Sequence, residues 1–521
     1  MNLINEPWIP IRRVDGTCEK VEAWRITDFT EGKSPIVAIA SPRPDFDGAL
    51  IQFVIGLLQT TCTPSESKWW DWRESPPTPE TLRERFVTVL EAFELEGARA
   101  FMQDFSPSEL SNRLNIAALL IEAPGEQTLK ENKDHFIKRG RVEQLCSHCA
   151  ATALFTLQTN APSGGQGHRT GLRGGGPLCT LVLGGTLWET CWRNILTKAR
   201  YLATADLNKS GDADRFPWLA GTRTSEADPP AGMTGLVDVH PDQQFWAMPR
   251  RIRLQFDKLE KISFCDLCGA KIICACRHFV TKNYGVSYKG FEHPLSPHYV
   301  KDGIASPVHP QPGGIGYRHW LGLVENSTDG NVERRPARAI EQFRSLARED
   351  ARLWAFGFDM DNMKARCWYD ATMPIFVVPM EIEVSFKGQV ECLVRGASWV
   401  AQILRWRVKD VLLGKENTRG DLSFIQNHFW GATEAGFYEH VRRLRDNLSM
   451  PLGELSVLES WLADLRMAAF SVFDHYAQAG DFDAVDPRRM AVARNDLKKT
   501  LAGKKLRQLL GLPQPVHKKT A

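Results

Sequence analysis

Two cysteine pairs, Cys146-x-x-Cys149 and Cys265-x-x-Cys268-Gly269, carry the clearest chemistry in this 521-residue chain. Thiolates two residues apart are metal-ligand halves, and the glycine after the second pair permits the tight turn of a zinc knuckle. Two halves supply four thiolates. That is a closed tetrahedral set for one structural Zn2+, with no open position for catalysis. The halves stand 115 residues apart, so the ion would staple distant segments. Cys274, Cys276 and His278 are spare candidate ligands.

Beyond the first pair lies Asn160-Ala-Pro-Ser-Gly-Gly-Gln-Gly-His-Arg-Thr-Gly-Leu-Arg-Gly-Gly-Gly176, with seven glycines in the thirteen residues from Gly164. Glycine bares the backbone N–H groups, and His168, Arg169 and Arg173 add cations to the same segment, a combination suited to a closely approaching polyanion. No Gly-Lys-Ser/Thr at P-loop spacing and no G-x-G-x-x-G opening a helix accompanies it, so a phosphate-rich polymer fits better than a mononucleotide. On the glycines alone, a flexible surface loop is the commoner explanation.

Other residues offer less. His293 and His298 flank prolines without i, i+4 metal spacing, and no H-x-E precedes a Cys pair, which argues against a zinc deaminase. Asp359, Asp361 and Asp370 could imitate a carboxylate cluster, but a polar hairpin tip accounts for them. In the stretch 354–369, Met360, Asp361, Asn362 and Met363 fall at that tip between aromatic-rich arms. An apolar-plus-amide tip could wedge a base step apart. Lys282, in Val280-Thr-Lys-Asn-Tyr-Gly285, reads as an isolated cation on a loop.

The elements that must hold these residues divide by texture. At 521 residues the chain exceeds one hydrophobic core. Its composition, 43% hydrophobic and 24% charged, is that of an ordinary globular protein. The longest apolar run, residues 49–58, is too short to span a bilayer, and the first residues lack a signal-peptide pattern. Twelve cysteines in so long a chain indicate a reducing cytoplasm with metal ligation rather than a disulfide framework. Up to about residue 380 the patterning is mixed: a hairpin around the turn at Asp15-Gly16, helices at 48–60, 78–95, 187–201 and 337–348, and strands at 178–183, 252–256, 354–358 and 373–378. Thr78 and Pro79 mark a helix start. Beyond 390, helix-period segments at 398–413, 421–446, 454–477 and 488–510 predict a bundle. The fold class is therefore α+β: a large, irregular mixed N-terminal domain (1–380) with a four-cysteine zinc site, a C-terminal four-helix bundle (390–512) and a basic tail (513–521). Net charge is only +3, yet residues 487–521 carry ten Lys/Arg against Asp496 alone. Lys498, Lys499, Lys504 and Lys505 would give the last helix a basic face for phosphates, or merely a solvated one.

These features together resemble the CasA-type large subunit of the type I-E CRISPR Cascade, an RNA-guided surveillance complex. The opening Asn2-Leu-Ile-Asn-Glu-Pro-Trp-Ile-Pro10 is similar to the family's start. The most specific match is Cys146-x-x-Cys149 leading to Ala-Pro, a glycine loop and Thr-Gly-Leu-Arg-Gly-Gly175. The order of second knuckle, lysine, His-Pro-x-Ser-Pro297, hairpin and bundle agrees over nearly the whole chain. The resemblance implies a non-enzymatic subunit that reads the protospacer-adjacent motif (PAM) of double-stranded target DNA. It places Gly164, Gly165, Gln166 and Gly167 against the minor groove and Lys282 as a lysine finger. Asp361, Asn362 and Met363 fall at the wedge, Asn362 standing where well-known members have glutamine. Residues 136–145, with Phe136, Lys138, Arg139 and Arg141, would touch the guide-RNA handle and neighbouring backbone, small and handle-binding subunits. The bundle would face displaced DNA and the recruited helicase–nuclease. The rival expectation is a zinc-dependent nucleic-acid enzyme using His293, His298, Asp359 or Asp361.

Overall fold

The structure, a computed structural model, describes residues 1–104, 106, 112–132, 134, 139–203, 209–227, 231–361, 364–413, 421–448, 453–478 and 486–514. It divides into two compact units: Met1–Gln311 with Thr328–Ala347 and Ala351–Thr372, and Pro312–Ser327 with Arg348–Asp350 and Met373–Ala521.

The first unit is organised by the helix Pro44–Cys62, whose side chains are buried from Phe46 almost to its end. A helix apolar on all sides must be covered on all sides. Phe53 is its centre, meeting Trp8, Phe93 and Trp246 edge to face at ring separations of 5.1, 5.8 and 5.7 Å. The opening hairpin forms as expected, Ile9–Arg13 with Cys18–Val21, and Ile36–Ile39 adds a third strand beside the first. A second sheet sets Ala351–Asp361 between Lys364–Ile375 and Cys179–Leu183. A third pairs the long strands Arg251–Phe264 and Lys271–Lys282, with Asn112–Asn115 on the outer side of the latter.

Several expected boundaries move for identifiable reasons. Thr78 caps its helix, Oγ1 accepting from the Thr81 N–H at 3.3 Å, but the α-helix ends at Phe86 and continues as a tighter 3-10 turn to Phe93. The helix expected over 187–201 breaks after Arg193. There the Asn194 amide bonds both ways to the backbone of strand residue Val182, at 2.9 Å each. A long-range pairing thus overrides local helix propensity.

The second unit contains the helices Glu383–Leu412, Ser423–Asn447, Gly453–Gln478 and Pro487–Ala502, followed by the short Lys504–Leu509. The first begins fifteen residues before the expected start and runs through Gly396. Any Cβ on Gly396 would fall 2.5 Å from Leu510 Cδ2, so the glycine is a packing recess. Leu393, Leu404, Phe429, Phe437, Trp461, Phe473 and Leu497 fill the interior. Trp461 Nε1 donates to the Leu393 carbonyl at 3.1 Å. Tyr317 from the preceding segment stacks on Phe437 at 4.3 Å. No described helix is long and apolar enough to cross a membrane.

Candidate metal centre and nucleic-acid interface

The two cysteine pairs meet. Cys146 precedes the helix Ser147–Asn160, and its Sγ accepts from the Cys149 N–H at 3.3 Å, which points both sulfurs of that pair to one side. Cys265 and Cys268 sit in the turn joining the two long strands, where Cys265 takes the Ala270 carbonyl and offers its own to Gly269 N–H. The halves are joined by backbone: Leu145 and Cys276 exchange hydrogen bonds of 3.0 and 2.9 Å, and Asp266 N–H donates to the Gln144 carbonyl. Asp266 Oδ2 returns the contact by accepting from Glu143 and Gln144 N–H groups at 2.7 and 2.8 Å.

The four sulfurs lie within 4.8 Å of one another, three on buried residues. Cys146 and Cys268 are 3.7 Å apart. A tetrahedron with ~2.3 Å metal–sulfur bonds has edges of about 3.8 Å, so the donor set fits such an ion without rearrangement. Contact with Cys146 pulls the Cys268 thiol down to about 6, whereas its bond to Cys146 pushes Cys149 up. Proton sharing in the cluster favours the thiolate form that a metal needs. Of the spare ligands, none joins. Cys274 is exposed, Cys276 turns its sulfur to the His278 carbonyl, and His278 meets Arg113.

The glycine loop and Lys282 also come together. Lys282 is not on a loop: it is the last residue of its strand, paired in register with Arg251. Arg251 is pinned by a buried ion pair with Asp104, Nε to Oδ2 at 2.6 Å. Nor is Lys282 isolated, since its Nζ lies 3.7 Å from Glu226 Oε1. The next two residues fasten the loop. Tyr284 N–H donates to the Gly167 carbonyl at 2.8 Å, and Asn283 Nδ2 to the Gln166 carbonyl at 2.6 Å. Gly167 has φ +75°, and a Cβ there would meet Asn283 and Tyr284 at 2.8–3.0 Å. Gly165 and Gln166 are exposed, and a Cβ on Gly165 would meet open space. The outer edge of the loop is therefore accessible backbone.

The cations in that segment differ from expectation. Arg173 is buried, donating to Gln52 Oε1 at 2.5 Å and Ser296 Oγ at 3.1 Å, so it braces the fold and offers nothing to a polyanion. Arg169 is tied to Ser225 through its hydroxyl and carbonyl, at 2.6 and 2.8 Å. His168 stands against Arg250, and burial with that cation lowers its pKa. Asn283, Tyr284 and Arg250 were missed as anchors. Asn283-Tyr284 directly after Lys282 was the one available signal.

Of the wedge residues, Asp361 is exposed at the end of its strand, 3.8 Å from Arg366, while Asn362 and Met363 lie outside the described residues. So do Phe136 and Lys138. Arg139 is held by Asp134 at 2.6 Å, and Arg141 is exposed. Lys498, Lys499, Lys504 and Lys505 are all exposed. The residues of the rival metal enzyme do not converge. His293 is buried against Phe245 with its pKa driven well down by desolvation, and burial lowers His298 to about 4. Asp359 is buried and salt-bridged to Arg366 at 2.6 Å. Among the described residues the four cysteines form the single cluster suited to a metal.

A family model described as CRISPR-associated protein Cse1 matches residues 2–472. Crystal structures of the same kind share the fold. Thermobifida fusca Cse1 is 13% identical with a TM-score of 0.70, covering 99% of each chain. Thermus thermophilus CasA is 17% identical with a TM-score of 0.66, covering 96% of this chain and 99% of its own. A chain in a structure titled CRISPR RNA-guided surveillance complex is similar at 17% identity and a TM-score of 0.68, covering 96% of this chain and 99% of its own.

Proposed function

The chain belongs to the CRISPR-associated Cse1 family, and from that premise we propose that it is the large, non-catalytic subunit of an RNA-guided Cascade complex that reads the PAM of duplex DNA. The observation that carries this reading is the fastening of the exposed loop at Gly164, Gly165, Gln166 and Gly167 to the residues that follow Lys282. The minor groove presents acceptors common to A·T and T·A plus the guanine amino group. A bare backbone edge with one cation suits that degenerate pattern, giving tolerant recognition of a short motif while guide pairing reads the remaining sequence.

The other parts follow from the same reading. Zn2+ bound by Cys146, Cys149, Cys265 and Cys268 would hold the hairpin that ends in Lys282 against the helix that leads to the glycine loop. The loop containing Phe136, Lys138, Arg139 and Arg141 would meet the guide-RNA handle and the backbone, small and handle-binding subunits. Exposed Lys498, Lys499, Lys504 and Lys505 would engage phosphates and the recruited helicase–nuclease, in the cytoplasm. The resemblance to a chain of a surveillance complex supports these partners by fold alone.

Asp361, Asn362 and Met363 would form the wedge that starts R-loop opening. Unstacking a base step costs a few kcal/mol, which an inserted side chain helps to offset. An Asn362→Ala, Met363→Ala variant in the assembled complex is therefore expected to bind PAM duplex normally and to open it several-fold more slowly. A fluorescent base beside the PAM reports the rate, and unchanged opening kinetics would contradict the wedge.

A further inference from the structure

The helix Glu383–Leu412 buries Leu393, Val400, Leu404 and Val408 on one side. Its opposite side presents Arg395, Trp399, Gln402, Arg405, Trp406 and Lys409, the spacing of neighbours along one helix face. Trp406 is 50% exposed and Trp399 is partly so. An indole is a large apolar surface to leave in water. Between Glu391 and Asp410 the helix carries no acidic residue and four basic ones, counting Arg407, which is engaged by Asp410 and Asp496. The nearest opposing charge on Arg405 is Asp421.

We infer that this face binds a single nucleic-acid strand, with bases stacking on Trp399 and Trp406 and phosphates meeting Arg395, Arg405 and Lys409. Charge complementarity selects a polyanion, and the paired indoles select one whose bases are unpaired, since a duplex hides its base faces. Stacking on aromatic rings beside cations tolerates any sequence, as a strand displaced from a duplex requires. The two tryptophans are seven residues apart, about 10.5 Å along the axis. That separation accommodates about three stacked steps at ~3.4 Å. The inference rests on the chain handling an opened duplex, and it concerns residues that play no part in PAM reading.

The purified full-length chain would be titrated into a labelled oligothymidylate strand and, separately, a labelled duplex, with binding read by anisotropy at several salt concentrations. Trp406→Ala and Trp399→Ala should each weaken strand binding about tenfold and leave duplex binding unchanged, and Trp406→Phe should retain most of the affinity. An Arg405→Ala, Lys409→Ala variant should flatten the salt dependence for the strand. Strand binding by Trp406→Ala equal to that of the parent would overturn the inference, as would equal losses for strand and duplex. A protein partner on this face would be revealed differently: Trp406→Ala would lower co-purification with the other subunits while leaving strand affinity intact. That result too would overturn it. Loss of PAM discrimination in a Lys282 variant is a separate readout, so either reading can fail while the other stands.

Discussion

Replacing Cys265 with serine is expected to abolish metal binding and to destabilise the protein by on the order of 3–5 kcal/mol. The expectation follows from where the site sits. Cys265 and Cys268 close the turn of the hairpin Arg251–Phe264 and Lys271–Lys282, whereas Cys146 and Cys149 open the helix Ser147–Asn160. An ion joining them removes the freedom of two segments distant in sequence, and its binding energy is folding energy because no preformed site exists in the unfolded chain. The loss should be less than the full binding energy, since the core around Phe53 does not depend on the knuckle. Elemental analysis should find about one zinc per parent chain and little in Cys265→Ser, with a lowered Tm. Cys274→Ser, at an exposed cysteine outside the cluster, should keep both metal and stability. Metal retained in full by Cys265→Ser, or absent from freshly purified parent protein, would contradict the site.

The second large effect is expected at Lys282. In the assembled complex, Lys282→Ala should erode discrimination between correct and incorrect PAM by about 10–100-fold, the equivalent of 1–3 kcal/mol for a base-edge contact. Its Nζ stands beside Glu226, so reading DNA requires the lysine to exchange one partner for another. Glu226→Gln should leave discrimination intact and strengthen duplex binding modestly. Removing Lys498, Lys499, Lys504 and Lys505 should act differently, weakening all duplexes alike and reducing the salt slope, because phosphate contacts carry no base information. If Lys282→Ala lowers binding equally for every PAM, the lysine is a phosphate contact and its assignment falls.

The fold class was legible because the period of the apolar residues changes near residue 390, and both cysteine pairs were legible because Cys-x-x-Cys is a local signal. What escaped depends on partners far away in sequence. Arg173 looks like a surface cation beside glycines, yet its guanidinium is taken by Gln52 and Ser296, 121 and 123 residues away. Lys282 looks like a loop residue because Asn283-Tyr284-Gly285 reads as a turn. Its strand is set instead by ladder pairing back to Arg251. The first bundle helix was shortened because Gly388 and Gly396 suggest a break, whereas Gly396 makes room for Leu510. In each case local propensity was sound and tertiary contact overrode it.

Reading through the minor groove is the central claim, and base analogues test it most directly. An inosine·cytosine pair presents the minor-groove face of A·T and the major-groove face of G·C, because inosine lacks the guanine amino group. Binding of the assembled complex would be measured on duplexes in which one PAM position that distinguishes A·T from G·C carries inosine·cytosine. Minor-groove reading by the backbone of Gly164, Gly165, Gln166 and Gly167 with Lys282 predicts affinity equal to that of the A·T duplex. Affinity equal to that of the G·C duplex would mean that the PAM is read from the major groove, and the account would be wrong.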